Sequence, residues 1–143
     1  MSKISARLSG FIDSLPLKDG LRILEIGCGS GAAAREIIFR TTGTRVLGID
    51  RSLKAIEQAA KSCSEEIKQG RMLFVHSGIE NFELPKGEKR FDFAFAVRVG
   101  ALDGRHPEIQ QAALSSIFKA LKKGGKLYID GGDPLKEVVW QSV

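Results

Sequence analysis

At 143 residues, the chain is long enough for one domain, and we expect residues 1–143 to form a single one. Its composition, 43% hydrophobic and 27% charged, is that of a globular protein and excludes collagen-like, low-complexity and disulfide-scaffold classes. No apolar run is long enough to cross a bilayer and no signal core follows the N-terminus, so we expect no membrane contact and a cytoplasmic location.

The charge balance argues against nucleic acid as a partner. The chain has 22 Lys and Arg against 17 Asp and Glu, a net charge of +5, but the basic residues are spread along it. Spread charges are typical of a solvated surface rather than of a binding patch. The two cysteines, Cys28 and Cys63, match no metal-ligand spacing, so we predict no metal site.

The first half of the chain alternates helices and strands. Apolar residues at helical spacing predict a helix from residue 4 to 15, closed by Pro16. A short apolar run over residues 22–26 predicts a strand, and helix formers follow over residues 32–40. Residues 44–49 form the second predicted strand. Ser52 is a suitable N-cap for an amphipathic helix over residues 53–69.

The alternation continues to the end of the chain. We predict strands over residues 71–76, 91–99 and 126–130, and a helix from Pro107 to residue 123. The segment between the third and fourth strands shows little helical pattern. Strands that alternate with helices indicate an α/β fold, an open parallel sheet with helices on both faces.

The most informative segment joins the first strand to the following helix: Glu25-Ile26-Gly27-Cys28-Gly29-Ser30-Gly31. Glycines allow positive φ angles and let a ligand approach the backbone, and exposed N–H groups at a helix start favour an electronegative ligand group. Ligands of open parallel sheets lie beyond the carboxyl ends of the strands, where this loop falls.

Two acidic residues distinguish the candidate ligands. Gly27, Gly29 and Ala32 satisfy the dinucleotide pattern G-x-G-x-x-A, which keeps an NAD-linked oxidoreductase open. However, Glu25 could meet a ligand ammonium group and would gain nothing from a pyrophosphate. Asp50, which ends the second strand, could accept hydrogen bonds from both ribose hydroxyls. A ligand with a ribose and an ammonium group fits S-adenosylmethionine better than NAD.

At these residues the chain resembles the class I S-adenosylmethionine-dependent methyltransferases. Residues 24–31 look like the first motif of that family, and residues 47–52 resemble its second. Residues 91–96 and 121–127 resemble its fourth-strand motif and the turn before its fifth strand. The resemblance implies a Rossmann-like fold with strand order 3-2-1-4-5, S-adenosylmethionine as cofactor, and a small-molecule methyl acceptor.

The resemblance also implies roles for residues of this chain. Glu25, Gly27 and Gly29 would hold the methionine part of the cofactor, and Cys28 and Gly31 complete the same loop. Asp50 and Arg51 would flank the ribose and adenine. The adenine edge would lie near Gly78, Ile79 and Glu80, with Gly78 at the position where family members often carry an acid. Val97 would offer a backbone carbonyl at the end of the fourth strand.

The acceptor pocket should lie past the fourth strand. Asp103 or His106 could act as the base there, and Arg98 or Arg105 could hold an anionic substrate. The Asp103-Gly104 pair is equally typical of a plain turn, and His106 could simply start the helix.

The C-terminal part is shorter than the resemblance implies. Family members continue past the fifth strand into a helix and a two-strand hairpin, and we expect that hairpin to be absent here. Val138, Val139 and Trp140, a second copy of the chain or a partner chain would then cover the edge of the fifth strand. The alternatives to small-molecule methylation are a non-catalytic cofactor-binding subunit or regulator and an RNA methyltransferase.

Overall fold

The computed structural model describes residues 4–139. The helices are α1 (Ala6–Asp13), α2 (Ala32–Arg40), α3 (Leu53–Ser62), α4 (Ser64–Lys68) and α5 (Pro107–Ala120). The strands are β1 (Arg22–Ile26), β2 (Arg45–Asp50), β3 (Met72–His76), β4 (Phe91–Ala96), β5 (Leu121–Asp130) and β6 (Leu135–Val138). A single 3₁₀ turn, Ile79–Asn81, lies between β3 and β4.

The strands form one sheet in the order β3-β2-β1-β4-β5-β6. The pairs from β3 to β5 are parallel, which confirms the predicted strand order 3-2-1-4-5. Adjacent residues of β1 belong to different core clusters: Ile23 lies in the cluster that includes Ile37 of α2, and Leu24 in the cluster that includes Ile117 of α5. Helices therefore cover both faces of the sheet, as predicted.

The prediction that the C-terminal hairpin is absent was wrong. β6 pairs antiparallel with β5, from Leu127 opposite Val138 to Asp130 opposite Leu135, and so covers the β5 edge. Val138 is thus part of the cover, whereas Val139 is 74% exposed and Trp140 lies outside the described residues. The exposed edge that led us to expect a second copy or a partner chain is therefore closed by the chain itself.

Several predicted boundaries also differ. The helix predicted over residues 53–69 is divided at Cys63, whose backbone departs from helical angles with φ −111° and ψ 27°. The fourth strand ends at Ala96 rather than at residue 99. The last helix ends at Ala120, because β5 already begins at Leu121 with a register shift against β4 between Phe91 and Phe93.

α1 lies at the carboxyl end of the sheet. Ser5 caps it by accepting a hydrogen bond from the Leu8 N–H, and Phe11 packs against Phe95 of β4 at 6.0 Å between ring centroids. This contact holds α1 beside the ends of β4 and β5. The loops that follow β1, β2, β3 and β4 open at the same end of the sheet.

Candidate functional site

Three glycines in the loop between β1 and α2 adopt left-handed backbone angles. Gly27, Gly29 and Gly31 have φ angles of 72°, 53° and 86°, which residues with a side chain rarely adopt. A Cβ at Gly27 would lie 2.8 Å from Val99 Cγ2, and one at Gly31 would lie 3.1 Å from both Cys63 Sγ and Phe74 Cζ. Gly31 therefore serves the packing of α2 on its neighbours, and Gly27 lets the β4 loop approach.

The backbone N–H groups of this loop are mostly engaged within the chain. Those of Gly27 and Cys28 donate to the Ile49 carbonyl at 2.8 and 2.9 Å. The Gly29 N–H donates to Asp50 Oδ2 at 2.9 Å. The Gly31 N–H donates to the Cys28 carbonyl at 3.0 Å. The expectation of a row of exposed N–H groups is thus not met for these four. A phosphate-binding loop instead aims such donors at its ligand.

Asp50 joins the two loops that frame the site. Its Oδ2 accepts the Gly29 N–H, and its Oδ1 accepts the Ser52 N–H at 2.9 Å. One carboxylate thereby fixes both the glycine loop and the start of α3. A carboxylate has about four acceptor positions, so Asp50 can still accept hydrogen bonds from ligand hydroxyls.

Glu25 is a buried acid without a full set of partners. Its side chain is 5% exposed, and Oε1 has no hydrogen-bond partner among residues 4–139. Burial, with a smaller contribution from the nearby Asp50 charge, raises the pKa of Glu25 well above its usual value. An unsatisfied buried acceptor is costly, and a cationic hydrogen-bond donor would satisfy it.

A pocket of about 230 Å³ opens where the strands end. Of the predicted cofactor residues, it is lined by Gly27, Asp50, Arg51, Gly78 and Ile79. The remaining lining residues come from β1, β2 and the loops after β3 and β4: Ile26, Ile49, Ser77, Arg98, Val99 and Gly100. The structure therefore brings together residues that are far apart in the sequence.

The other predicted cofactor residues do not line this pocket: Glu25, Cys28, Gly29, Gly31, Glu80 and Val97. The Cys28 side chain is buried against Gly48 of β2, where an added Cβ would lie 2.8 Å from Cys28 Cβ. Burial raises the pKa of the Cys28 thiol, so the side chain stays neutral and structural. Only the backbone of Cys28 can then meet a ligand. Val97 lines the neighbouring cavity rather than this pocket.

Gly78 leaves room for an ion pair. A Cβ at this position would lie 2.5 Å from Glu80 Oε1 and 3.1 Å from Arg51 Cζ. Arg51 Nη2 donates to Glu80 Oε1, and this hydrogen bond lowers the pKa of Glu80 below its usual value. The Glu80 side chain is 15% exposed. The carboxylate of Glu80 thus stands where a side chain at position 78 would begin.

A second cavity, of about 640 Å³, lies between α1 and the loops after β4 and β5. Arg98 lines both cavities. Its backbone has a left-handed φ of 57°, its N–H donates to Asp130 Oδ1 at 3.0 Å, and its carbonyl accepts from Arg105 Nη2 at 2.8 Å. A non-glycine residue held in this conformation is a feature of functional sites.

Asp103, Arg105 and His106 lie together in the segment just before α5. Arg105 Nε donates to Asp103 Oδ2 at 2.9 Å, and this hydrogen bond lowers the pKa of Asp103. Arg105 and His106 line a third cavity, and His106 is 59% exposed with Nδ1 3.4 Å from Glu108 Oε1. None of the three lines the two cavities that Arg98 joins. Their predicted roles stay predictions.

Ser77, Val99 and Gly100 were missed as pocket residues. Their position could have indicated this role, because they lie in the loops after β3 and β4 and ligands bind at the carboxyl ends of parallel strands. Their side chains carry no distinctive chemistry, so no motif marks them. Between residues 4 and 139 no helix is long and apolar enough to span a membrane, and no group of His, Cys, Asp and Glu is arranged to hold a metal ion.

Comparisons with known proteins point to one family. The profile of a family described as "Methyltransferase domain" matches residues 23–125. The chain is 30% identical over 109 residues to the sterol 24-C-methyltransferase ERG6A of Gibberella zeae, covering 76% of this chain and 27% of that protein. It is 30% identical over 125 residues to the O-methyltransferase rstn1 of Aspergillus nomiae, covering 84% and 52%.

A solved structure shares the fold. Phosphoethanolamine N-methyltransferase 2 of Haemonchus contortus, in complex with S-adenosyl-L-methionine, superposes with a TM-score of 0.68 and 28% identity over 86% of this chain and 27% of that one. The chain thus spans between a quarter and about half of the length of these relatives. From β1 to β5, the chain belongs to the class I S-adenosylmethionine-dependent methyltransferase family.

Proposed function

We propose that the chain binds S-adenosylmethionine in the 230 Å³ pocket and directs its methyl group to a small-molecule acceptor. This proposal is carried by two acids on neighbouring strands: Glu25 of β1, which is buried and has an unpartnered oxygen, and Asp50 at the end of β2, which lines the pocket. Their chemistry suits a ligand that has an ammonium group and a ribose. The names of the relatives, sterol and O-methyltransferases, support the same reaction class.

Each part of the cofactor has candidate partners. Glu25 would accept a hydrogen bond from the ammonium group, with Gly27 and Gly29 giving the methionine part close access to the backbone. Asp50 would accept hydrogen bonds from the ribose hydroxyls. Gly78 and Ile79 would lie against the adenine, and the carboxylate of Glu80 would receive its amino group in place of an acid at position 78.

The loop N–H groups already form hydrogen bonds within the chain, which favours S-adenosylmethionine over a dinucleotide as the ligand. The N–H groups of Gly27, Cys28, Gly29 and Gly31 already have acceptors within the chain. A pyrophosphate would require free donors at this place, and Glu25 would repel it. A sulfonium ligand carries no phosphate, so it loses nothing when the loop N–H groups point inward.

When bound, the cofactor supplies an electrophilic methyl group on a positively charged sulfur. The residues around it have to hold it in one orientation, exclude water and align the acceptor, because methyl transfer is a direct displacement. The rigid link from the glycine loop through Asp50 to α3 provides such a fixed frame.

The proposal is tested by calorimetric titration with S-adenosylmethionine, S-adenosylhomocysteine and NADH in parallel. We expect both sulfur ligands to bind and NADH not to bind. Asp50→Ala should weaken the sulfur ligands at least about 10-fold, because it removes the ribose acceptor and releases the glycine loop. Binding of NADH alone, or unchanged affinity in Asp50→Ala, would contradict the proposal.

A further inference from the structure

The 640 Å³ cavity beside α1 has a mainly apolar wall. Leu8 and Phe11 of α1 form one side, and Val97 and Pro134 lie on the loops opposite. The polar lining residues are Ser5 and Arg7 at the start of α1, and Arg98 and Asp130 at the ends of β4 and β5. Binding sites for small molecules have this composition, an apolar enclosure with a small number of placed polar groups.

The charges of the cavity do not cancel. Arg7 Nη2 lies 3.6 Å from Asp130 Oδ2, so these two side chains neutralise each other. Asp130 also accepts the Arg98 backbone N–H through Oδ1. Within residues 4–139, the Arg98 guanidinium itself has no hydrogen-bond or ion-pair partner in the structure. One cation therefore remains for a ligand.

Arg98 is also fixed in place by its backbone. Its N–H is held by Asp130 at the end of β5, and its carbonyl is held by Arg105. Arg98, an exposed residue, lines both the 230 Å³ pocket and the 640 Å³ cavity, so it lies at the junction between the proposed cofactor and any molecule in the larger cavity. A planar guanidinium with several donors is well suited to hold an anionic oxygen.

We propose that the methyl acceptor occupies the 640 Å³ cavity and is a mainly apolar molecule with one acidic oxygen group, held by Arg98 at the junction. This inference rests on the proposed function. The acceptor oxygen, a carboxylate or a phenolate, forms a bond to the methyl carbon. The carbon–sulfur bond breaks, its electron pair stays on sulfur, and the negative charge of the acceptor and the positive charge of the sulfonium disappear together.

This assignment needs no general base from the chain. A carboxylate is already ionised at neutral pH, and a nearby guanidinium favours the ionised form of a phenol, whose proton leaves to water. The arrangement is consistent with the position of Asp103, which is paired with Arg105 and lines neither cavity. Arg98 selects and orients the acceptor rather than removing its proton.

The test measures binding of two probes of equal shape, 2-naphthoate and the neutral 2-naphthamide, at saturating S-adenosylhomocysteine. We expect the wild-type chain to bind 2-naphthoate about 2- to 5-fold more tightly, the value of one partly solvated ion pair. Arg98→Gln should bind the two probes equally. Arg90→Gln is the matched control, since Arg90 is an exposed arginine at the opposite end of β4 and should keep the preference.

A second variant tests the cavity independently of Arg98. Leu8→Trp should fill it and weaken both probes at least about 10-fold while S-adenosylhomocysteine still binds. Equal affinity of the wild-type chain for both probes, the same loss of preference in both arginine variants, or unchanged probe binding in Leu8→Trp would overturn the inference alone. A wild-type chain that does not bind S-adenosylhomocysteine would overturn the proposed function and this inference with it.

Discussion

We expect Glu25 to destabilise the unliganded protein and to favour its complex with a cationic ligand. Glu25 lies in β1, opposite Gly48 of β2 and Phe95 of β4, and its Oε1 is unpartnered within the described part of the chain. Burial of such a group costs free energy unless a ligand supplies the missing donor. The cost is therefore recovered when a ligand ammonium binds.

Glu25→Gln should separate these two effects. The amide keeps the size of the side chain but removes the buried charge. We expect the free energy of unfolding of the unliganded protein at pH 7 to stay equal or rise by about 1 kcal/mol. The affinity for S-adenosylhomocysteine should fall at least about 10-fold. Urea unfolding and calorimetry measure the two quantities, and a loss of stability without a loss of affinity would contradict the assignment.

The raised pKa of Glu25 gives a pH dependence with a definite sign. The folded state holds the proton to a higher pH than the unfolded state does, so this group makes the unliganded protein less stable as the pH rises between the two pKa values. A cationic ligand favours the ionised form, so ligand affinity should rise over the same interval. Calorimetry from pH 5 to 8 should show this rise in the wild-type chain but not in Glu25→Gln.

Glu80 leads to a prediction about recognition of the adenine. If its carboxylate receives the adenine amino group, Glu80→Gln should weaken S-adenosylhomocysteine about 10-fold and leave S-inosylhomocysteine, which has an oxygen in place of that amino group, almost unchanged. Glu83→Gln, an exposed neighbour, is the control. An equal loss for both ligands would show that Glu80 only holds Arg51.

At the level of single residues, sequence reasoning was strongest where chemistry and motif coincide. Gly27 and Asp50 were predicted as site residues and line the pocket, because a glycine in the loop and an acid at the end of a strand each have a clear reason to be there. The role of Glu25 stays a prediction. The Arg51–Glu80 pair and the engagement of the loop N–H groups could not be predicted, because both depend on side-chain and backbone directions that appear only in the fold.

The opposite end of the sheet is held together by Glu88. Its side chain, 6% exposed, accepts hydrogen bonds from Arg22 of β1 and from Arg45 of β2, the latter at 2.7 Å from Oε1. The link from β3 to β4 is thereby tied to two strands. The hydrogen bond from Arg45 is the main cause of the lowered pKa of Glu88.

Glu88→Gln should lower the free energy of unfolding at pH 7 by about 1.5–3 kcal/mol, the value of hydrogen bonds to a charged group. Because the folded pKa lies below the usual value, the Glu88 contribution is complete above the unfolded pKa and is lost as the pH falls through the folded one. Urea unfolding at pH 7 and at pH 3 should show the difference shrinking in acid. Equal stability at pH 7 would disprove this role.

β6 is the element that the sequence did not reveal. Its residues, Leu135-Lys136-Glu137-Val138, are too few and too polar to give a strand pattern, and their conformation depends on the β5 edge beside them. The parallel strands, by contrast, were predictable because burial on both faces produces continuous apolar runs. The sequence did not predict that one helix ends before Cys63 and another at Ala120, because packing rather than helix propensity ends these helices.

Removal of β6 should expose the β5 edge. We expect deletion of residues 131–143 to lower the melting temperature by roughly 5 °C or more and to promote association through the unpaired strand. Deletion of residues 140–143 alone is the control and should retain the wild-type melting temperature. Thermal unfolding combined with size-exclusion chromatography measures both effects, and a stable monomer after the longer deletion would contradict the role of β6.

For the whole molecule, the fold explains why the site lies where it does. Five parallel strands end at one side of the sheet, so loops that are up to about 75 residues apart in the sequence meet in one pocket. The net charge of +5 is distributed among surface ion pairs and solvated side chains, such as Lys122 beside Asp92.

Backbone hydrogen exchange with and without S-adenosylhomocysteine would test whether the cofactor binds at the glycine loop. We predict slower exchange in segments 23–35, 49–53, 76–82 and 97–101, which surround the 230 Å³ pocket, and no change in β6 or at the Glu88 end of the sheet. Protection confined to other segments, or no protection at a ligand concentration far above any measured dissociation constant, would contradict the placement of the cofactor at the glycine loop.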